Sequence, residues 1–462
     1  MGRRTIRRAI LIGATTLPIL PALAQDGTGY LLTFGLNERL EYQTNPDLDV
    51  GSSDDQIESS TRLSFGILSE TRTQRLRFDA STALRLIDNN EEGFSSTINN
   101  PRLRLNYDRE GPRADLSFSA NYRQDDVDFI RPFDDFRNDE GIIVLPEDFG
   151  DLQGSGLRRS YGGTLDMTFR KDAPLSFVVR GELSQIDYTD VTDPNLNDIR
   201  RENLSVSARF RFSDTTTGRI TPSYRLYNEA GDGGTDRQTY EVRFGLNHEI
   251  SESLSIDGTL GYSQVDTTED GTSRTSDKPV GSIGLLQQMP NGTLSFDLDT
   301  RAESDGVWTT LWVGRVMQLT NGGLTARVGV TDPVGISIEP VAEILWNREL
   351  PSGQVNASLV RSVSSQQDDQ TRVSSSLSLG YNYSFNNVSG IGLDFLVAHI
   401  TETDENTVDR ADISAFYRRA LTEDWNLNVG ATWTQRDEAT VGNAESQSVF
   451  LTIGRNWSFR PF

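Results

Sequence analysis

From residue 30 almost to its end, the chain returns an apolar side chain at every second position. Over residues 30–42, Leu32, Phe34, Leu36, Leu40 and Tyr42 share one phase, and Thr33, Gly35, Asn37, Arg39 and Glu41 share the other. A period of two puts the two sets on opposite faces of an extended strand; a helix would bring apolar residues back at three and four. The pattern repeats with Leu76, Phe78, Ala80, Leu84 and Leu86 against Arg75, Arg77, Asp79, Ser81 and Arg85, and with Leu103, Leu105 and Tyr107 against Arg102, Arg104 and Asn106. It persists to Trp425, Leu427, Val429, Ala431 and Trp433. Segments of about ten to fifteen residues with one apolar face, repeated along a chain this long, are the sequence signature of a membrane-spanning β-barrel.

The connections alternate as well. Short ones fall at 71–74, 110–113, 171–174, 214–217, 251–253, 289–292, 321–323, 351–353 and 422–424. Longer, acidic ones lie between them at 43–56, 88–100, 125–156, 190–201 and 266–277. Bacterial barrels keep turns short on the periplasmic side and loops long outside, so both termini are expected in the periplasm and the strand number is expected to be even. The expected fold is all-β: a transmembrane, antiparallel, up-and-down β-barrel of about 22 strands, within a range of roughly 20 to 24, with no plug domain. Residues 308–319 and 324–346 are the hardest to divide into strands.

The N-terminus reads as an export signal. Arg3, Arg4, Arg7 and Arg8 precede the apolar run 9–20, too short to span a bilayer, and Ala22-Leu23-Ala24 supplies a cleavage site. The expected division is a Sec signal peptide over 1–24 and a barrel over 25–462, placed in the outer membrane after export and cleavage. No cysteine is present, so no disulfide, thiolate metal site or lipid-anchored cysteine is available. The net charge is −23, and about −27 once the four leader arginines are gone. No basic stripe remains to neutralise phosphates, which excludes nucleic acid as a partner. Nearly all positive charge is arginine; the only lysines are Lys171 and Lys278.

If the apolar faces meet lipid, the polar faces line the lumen. The pore-lining candidates are Arg75, Arg77, Arg85, Arg102, Arg104, Arg123, Arg180, Arg209, Arg211, Arg225 and Arg243, with Arg158, Arg219, Arg301 and Arg315 expected on the same wall. Carboxylates interleave them: Glu41, Asp79, Asp115, Asp166, Glu182, Glu241, Asp257, Asp297 and Asp299. Such a wall selects solutes by charge and size; it also braces the barrel, and the two roles are compatible. A ring of 22 strands would be roughly 40 Å across, so something must narrow it. The candidate is the 125–156 loop, with Asp134, Asp135, Asp139, Glu140, Glu147 and Asp148 as constriction residues. The alternative is an ordered surface loop.

Trp425 and Trp433 share a phase eight residues apart, which suits two rims of an apolar band, and Trp457 joins them as a belt residue. Trp308, Trp312 and Trp346 are expected in the belt too; a sugar-binding slide is the alternative if some point inward. The two histidines, His248 and His399, fall in the apolar phase and read as belt residues. His399 is followed by Thr401 in that phase, but no G-x-S-x-G elbow, metal cluster, phosphate loop or dinucleotide fingerprint is present, so no enzyme, cofactor or metal is expected.

The opening strand with Glu41-Tyr42 followed by Asn45-Pro46, together with the closing Trp457-Ser458-Phe459-Arg460-Pro461, resembles the putative β-barrel porin 2 family of proteobacterial outer-membrane proteins, especially its alphaproteobacterial branch. The resemblance implies a porin-like channel, and some relatives sit in polysaccharide export settings. The terminal Phe462 resembles the signal read by the barrel assembly machinery, although Arg460 and Ser458 occupy its alternate positions. The expected function is passive passage or export of small polar solutes or polysaccharide, with outer-membrane lipid and lipopolysaccharide around the barrel. The alternative is a closed structural or surface-interaction barrel acting through its acidic loops.

Overall fold

The computed structural model describes residues 29–89, 93–127, 156–191, 196–231, 234–269, 271–303, 306–334, 337–365, 371–402 and 407–460. The expected signal peptide and the terminal Pro461-Phe462 lie outside the described residues, as do the constriction candidates Asp134, Asp135, Asp139, Glu140, Glu147 and Asp148.

The described chain is a single closed sheet of 22 antiparallel strands. They are β1 Tyr30–Thr44, β2 Asp55–Glu70, β3 Gln74–Asn89, β4 Gly93–Glu110, β5 Ala114–Asp126, β6 Leu157–Phe169, β7 Leu175–Thr189 and β8 Ile199–Arg211. There follow β9 Thr216–Glu229, β10 Thr235–Ser251, β11 Leu254–Glu269, β12 Thr272–Met289, β13 Gly292–Ala302, β14 Val307–Leu319 and β15 Gly322–Asp332. The ring is completed by β16 Glu339–Leu350, β17 Gly353–Ser365, β18 Thr371–Asn386, β19 Ser389–Glu402, β20 Thr407–Ala420, β21 Trp425–Glu438 and β22 Gly442–Phe459. Each strand pairs with its neighbours in sequence, and β1 pairs with β22, Leu40 opposite Leu451. Closure removes the unpaired edge that lipid could not satisfy.

Register fixes which face is which. Arg243 on β10 reaches Asp299 on β13, three strands away, at 3.6 Å. Such contacts require a concave surface, so the polar phase faces inward. The other phase carries the large exposed apolar side chains, among them Phe244, Leu246, Leu260, Ile283 and Val328. Their exposure is toward lipid, whose tails replace a hydrophobic core.

Aromatic residues rim that band. Toward the terminal end of the barrel, Phe34 stacks on Trp457 and Phe459, with ring centroids 6.1 and 5.7 Å apart. Toward the other end, Tyr224 packs on Tyr240 and Tyr122 on Tyr161. Trp425, Trp433, Trp457 and Trp346 all lie on this outward face by register.

Five expectations are corrected. Trp308 and Trp312 are not belt residues. Register places them opposite Arg301 and Asp297, facing inward, and Trp308 is 1% exposed. Arg315 goes the other way, facing outward, with Nη2 donating to Asn291 at the terminal rim. Both phases of β14 carry large apolar groups (Val307, Leu311 and Val313 against Trp308 and Trp312), so alternation could not choose between them. Finally, 88–100 and 266–277 are mostly strand rather than loop. In 266–277 both faces are polar, so the period vanishes from the sequence while the ladder continues; in β4 a register shift opposite Ser81 and Ala83 moves the exposed Phe94 and Ile98 out of the phase of Leu103 and Leu105.

Candidate functional site

The candidate site is the inner wall. All eleven pore-lining candidates share the inward face: Arg75, Arg77 and Arg85 on β3, Arg102 and Arg104 on β4, Arg123 on β5, Arg180 on β7, Arg209 and Arg211 on β8, Arg225 on β9 and Arg243 on β10. A strand of period two needs only one residue in correct phase to fix the rest.

Most of these arginines lie in ladders with carboxylates. Arg77 donates to Asp79 at 2.7 Å and Arg180 to Asp166 at 2.9 Å. Arg85 holds Glu58 at 2.5 Å and also contacts Asp126. Arg243 donates to Glu241 at 2.5 Å and, with its other end, to the Thr300 carbonyl at 3.3 Å. Glycines make room for this. An added Cβ at Gly261 would meet the Arg243 side chain at 2.9 Å, so the arginine crosses β11 where there is no side chain. Ladders open to the lumen contribute about 0–1 kcal/mol each, because water screens them. Their main effect is to fix where the positive groups point.

The wall differs in burial around the ring. On β20 and β21, Arg410 lies 2.6 Å from Asp412 and Arg436 lies 2.7 Å from Glu438, with all four side chains no more than 7% exposed. Beside them is a buried apolar cluster of Leu396, Ala398 and Ile400 from β19, Val408, Ala444, Val127, Leu48 of the β1–β2 connection and Leu196 of the β7–β8 connection. β7 and β19 stand nearly opposite in the ring, so connections from distant parts of the rim contribute to one cluster. Long side chains and inward connections therefore both narrow this end.

Two cavities open on the wall. One, about 550 Å³, is lined by Arg39, Glu41, Arg62, Arg85, Phe416 and Phe450 among others. The second, about 610 Å³, is lined by Arg180, Arg209, Arg219, Arg243, Asp257 and a set of serine and threonine hydroxyls. In the β6–β7 turn, Lys171 donates to both oxygens of Asp115 at 2.9 and 3.1 Å, which raises its pKa above the ordinary lysine value.

Sequence reasoning missed the inward aromatics. Phe450 takes the Arg39 guanidinium at 3.9 Å, Trp308 takes Arg301 at 4.7 Å, and Trp312 takes Arg327 at 4.8 Å. Phe416 lies over Gly392. These rings already hold a guanidinium or cover a glycine, which disfavours a sugar slide. The signal that could have found them is an arginine in the phase of an aromatic on the next strand. Both histidines face outward; His399 bonds Asp409 at 2.7 Å and Thr401 at 3.1 Å, and His248 bonds Thr216 at 3.0 Å.

No family model and no curated protein sequence matches this chain. Solved structures do. The FrpB iron transporter from Neisseria meningitidis (F5-1 variant) superposes with a TM-score of 0.53 at 9% identity, over 94% of this chain and 83% of that one. The ferric enterobactin receptor PfeA (R480A mutant) from Pseudomonas aeruginosa superposes with a TM-score of 0.52 at 10% identity, over 94% and 82%. The siderophore receptor PirA from the same organism gives 0.50 at 8% identity, over 94% and 81%. At these identities the likeness carries the fold: a large closed antiparallel barrel of the outer-membrane kind.

Proposed function

We propose that this protein is a porin-like outer-membrane channel for passive passage or export of polar solutes through a lumen lined by arginine and carboxylate ladders. The observation that carries this reading is the inward wall itself. Charged and hydroxylic side chains line two cavities of about 550 and 610 Å³, while the opposite face is an apolar band between aromatic rims. A solute in such a lumen exchanges water for oriented donors and acceptors, and its charge decides its rate.

The setting proposed with it is the outer membrane, reached by Sec export, cleavage after residue 24 and insertion by the barrel assembly machinery, with lipid and lipopolysaccharide around the band. The motifs resembling the porin 2 family agree with this, and the polysaccharide export setting of some of its members extends the solute class to linear polymers. The similar solved barrels are named for iron and siderophores; the solute class here is inferred from this wall's own charges. The 125–156 segment is proposed to set the effective bore.

A second reading, a closed barrel acting through its outer surface, is favoured by one observation. Leu48 and Leu196 join inward-facing Leu396 and Ile400 in a buried cluster near the end away from the termini. Single-channel recording of the refolded mature chain under a KCl gradient separates the two. Stable steps with a reversal potential displaced from zero support the channel. A folded, heat-modifiable barrel that gives no steps overturns it in favour of the closed form.

A further inference from the structure

The inward wall sets two arginines directly opposite each other at three places among the described residues: Arg102 and Arg123, Arg410 and Arg436, Arg209 and Arg219. Like charges directly opposed across a ladder, with Cβ atoms about 4.5–5.5 Å apart, repel and destabilise the sheet. In two of the three pairs both arginines have a carboxylate within ion-pair distance. A single carboxylate, Asp125, lies against both Arg102 and Arg123. Arg410 and Arg436 each have their own, Asp412 and Glu438.

In the third pair only Arg219 has one. Asp257 takes both terminal nitrogens of Arg219, at 2.5 and 2.6 Å. Among the described residues, no carboxylate lies within ion-pair distance of Arg209. Its surroundings are positive and hydroxylic. Arg180, already engaged with Asp166, lines the same cavity, as do Ser205, Ser207 and Thr221. Arg209 is partly buried but open to that cavity, whose volume of about 610 Å³ is in the range that takes a sugar-sized ligand.

We propose that Arg209 is the centre of an oxyanion-binding site in the lumen, taking the phosphate or carboxylate group of a polar solute. The solute supplies at Arg209 the counter-charge that Asp412 and Glu438 supply at Arg410 and Arg436. Guanidinium groups bind such oxygens in a two-pronged, charge-assisted way, and the neighbouring hydroxyls satisfy the remaining lone pairs. The proposal rests on the reading of the barrel as a solute channel, and its test keeps the two apart.

The test is calorimetric titration of the refolded mature barrel in detergent at low chloride, with inorganic phosphate and glucuronate as separate probes, on wild type, Arg209→Gln and Asp257→Asn. Removing Arg209 relieves a repulsion, so Arg209→Gln is expected to fold at least as well as wild type, checked by heat-modifiable gel mobility. For whichever probe binds, Arg209→Gln is expected to weaken binding at least tenfold, about 1.4 kcal/mol. Asp257→Asn frees the second guanidinium and is expected to tighten it. Preference for phosphate or for glucuronate identifies which group the site takes. Neither probe binding to wild type, or equal affinities in wild type and Arg209→Gln, overturns the site. Planar-bilayer recording of the same preparations reads the channel independently. Conductance without anion binding sinks the site alone, and anion binding without conductance sinks the channel alone.

Discussion

Arg219 on β9 and Gly245 on β10 stand directly opposite each other, and the arginine lies over the glycine on its way to Asp257 on β11. A Cβ at residue 245 would come within 2.7 Å of Arg219 Nε and 2.9 Å of its Cγ. Glycine normally weakens a strand, so its place here is explained by what crosses it. Gly245→Val is expected to lose about 1 kcal/mol, the upper part of the range for a partly exposed ion pair, despite valine's better strand propensity. Urea unfolding in micelles checks this. A variant as stable as wild type would mean that Arg219 has another route to Asp257.

The buried pairs on β20 and β21 are a different case. Arg410 and Asp412 are 1% and 4% exposed, so removing the carboxylate takes an ion-pair partner from a guanidinium that water cannot reach. Asp412→Ala is expected to cost about 3–5 kcal/mol. Arg180 and Asp166, at 64% and 56% exposure, are expected to couple by less than about 1 kcal/mol in a double-mutant cycle. Equal effects at the two sites would show that the upper lumen is hydrated.

Assignment of faces can be checked on the two strands that flank β10. Leu260 is 70% exposed on the outward face, opposite Phe244. Leu260→Arg is expected to destabilise the barrel in bilayers by about 2–4 kcal/mol if it lies near the midplane. Ser223→Asn, on the inward wall of β9, is expected to stay within about 0.5 kcal/mol. Inverted sensitivities would reverse inside and outside.

Deletion of 128–150 tests the proposed role of that segment. Conductance is expected to rise and ion selectivity to shift toward anions, because the deletion removes seven acidic residues against Arg131 and Arg137. Unchanged conductance with altered surface binding would place its role outside the pore.

Much of this barrel was legible in the chain because a strand with lipid on one side and water on the other must alternate. Arg75, Arg77, Arg102, Arg104, Arg209 and Arg243 share a face for that reason, and a handful of clear strands set the phase. Legibility failed where the two solvents stopped differing. At the far ends of β11 and β12 both faces are polar and the period is lost, and in β4 a register shift changes the apolar phase between Ile98 and Leu103. In β14 both faces are apolar, since Trp308 and Trp312 pack on arginines inside, and tryptophan suits either environment.

The sequence by itself determined the two faces, the approximate number of strands and the charge carried by the wall, because these depend only on each residue and its neighbours two positions away. The tertiary structure alone decided which charges meet. Asp125 serves both Arg102 and Arg123, Asp257 is committed to Arg219, and Arg243 reaches past two strands to Asp299. Those partnerships depend on register around a closed ring, where one slipped residue would turn every side chain to the other face. No local pattern in the chain records that register.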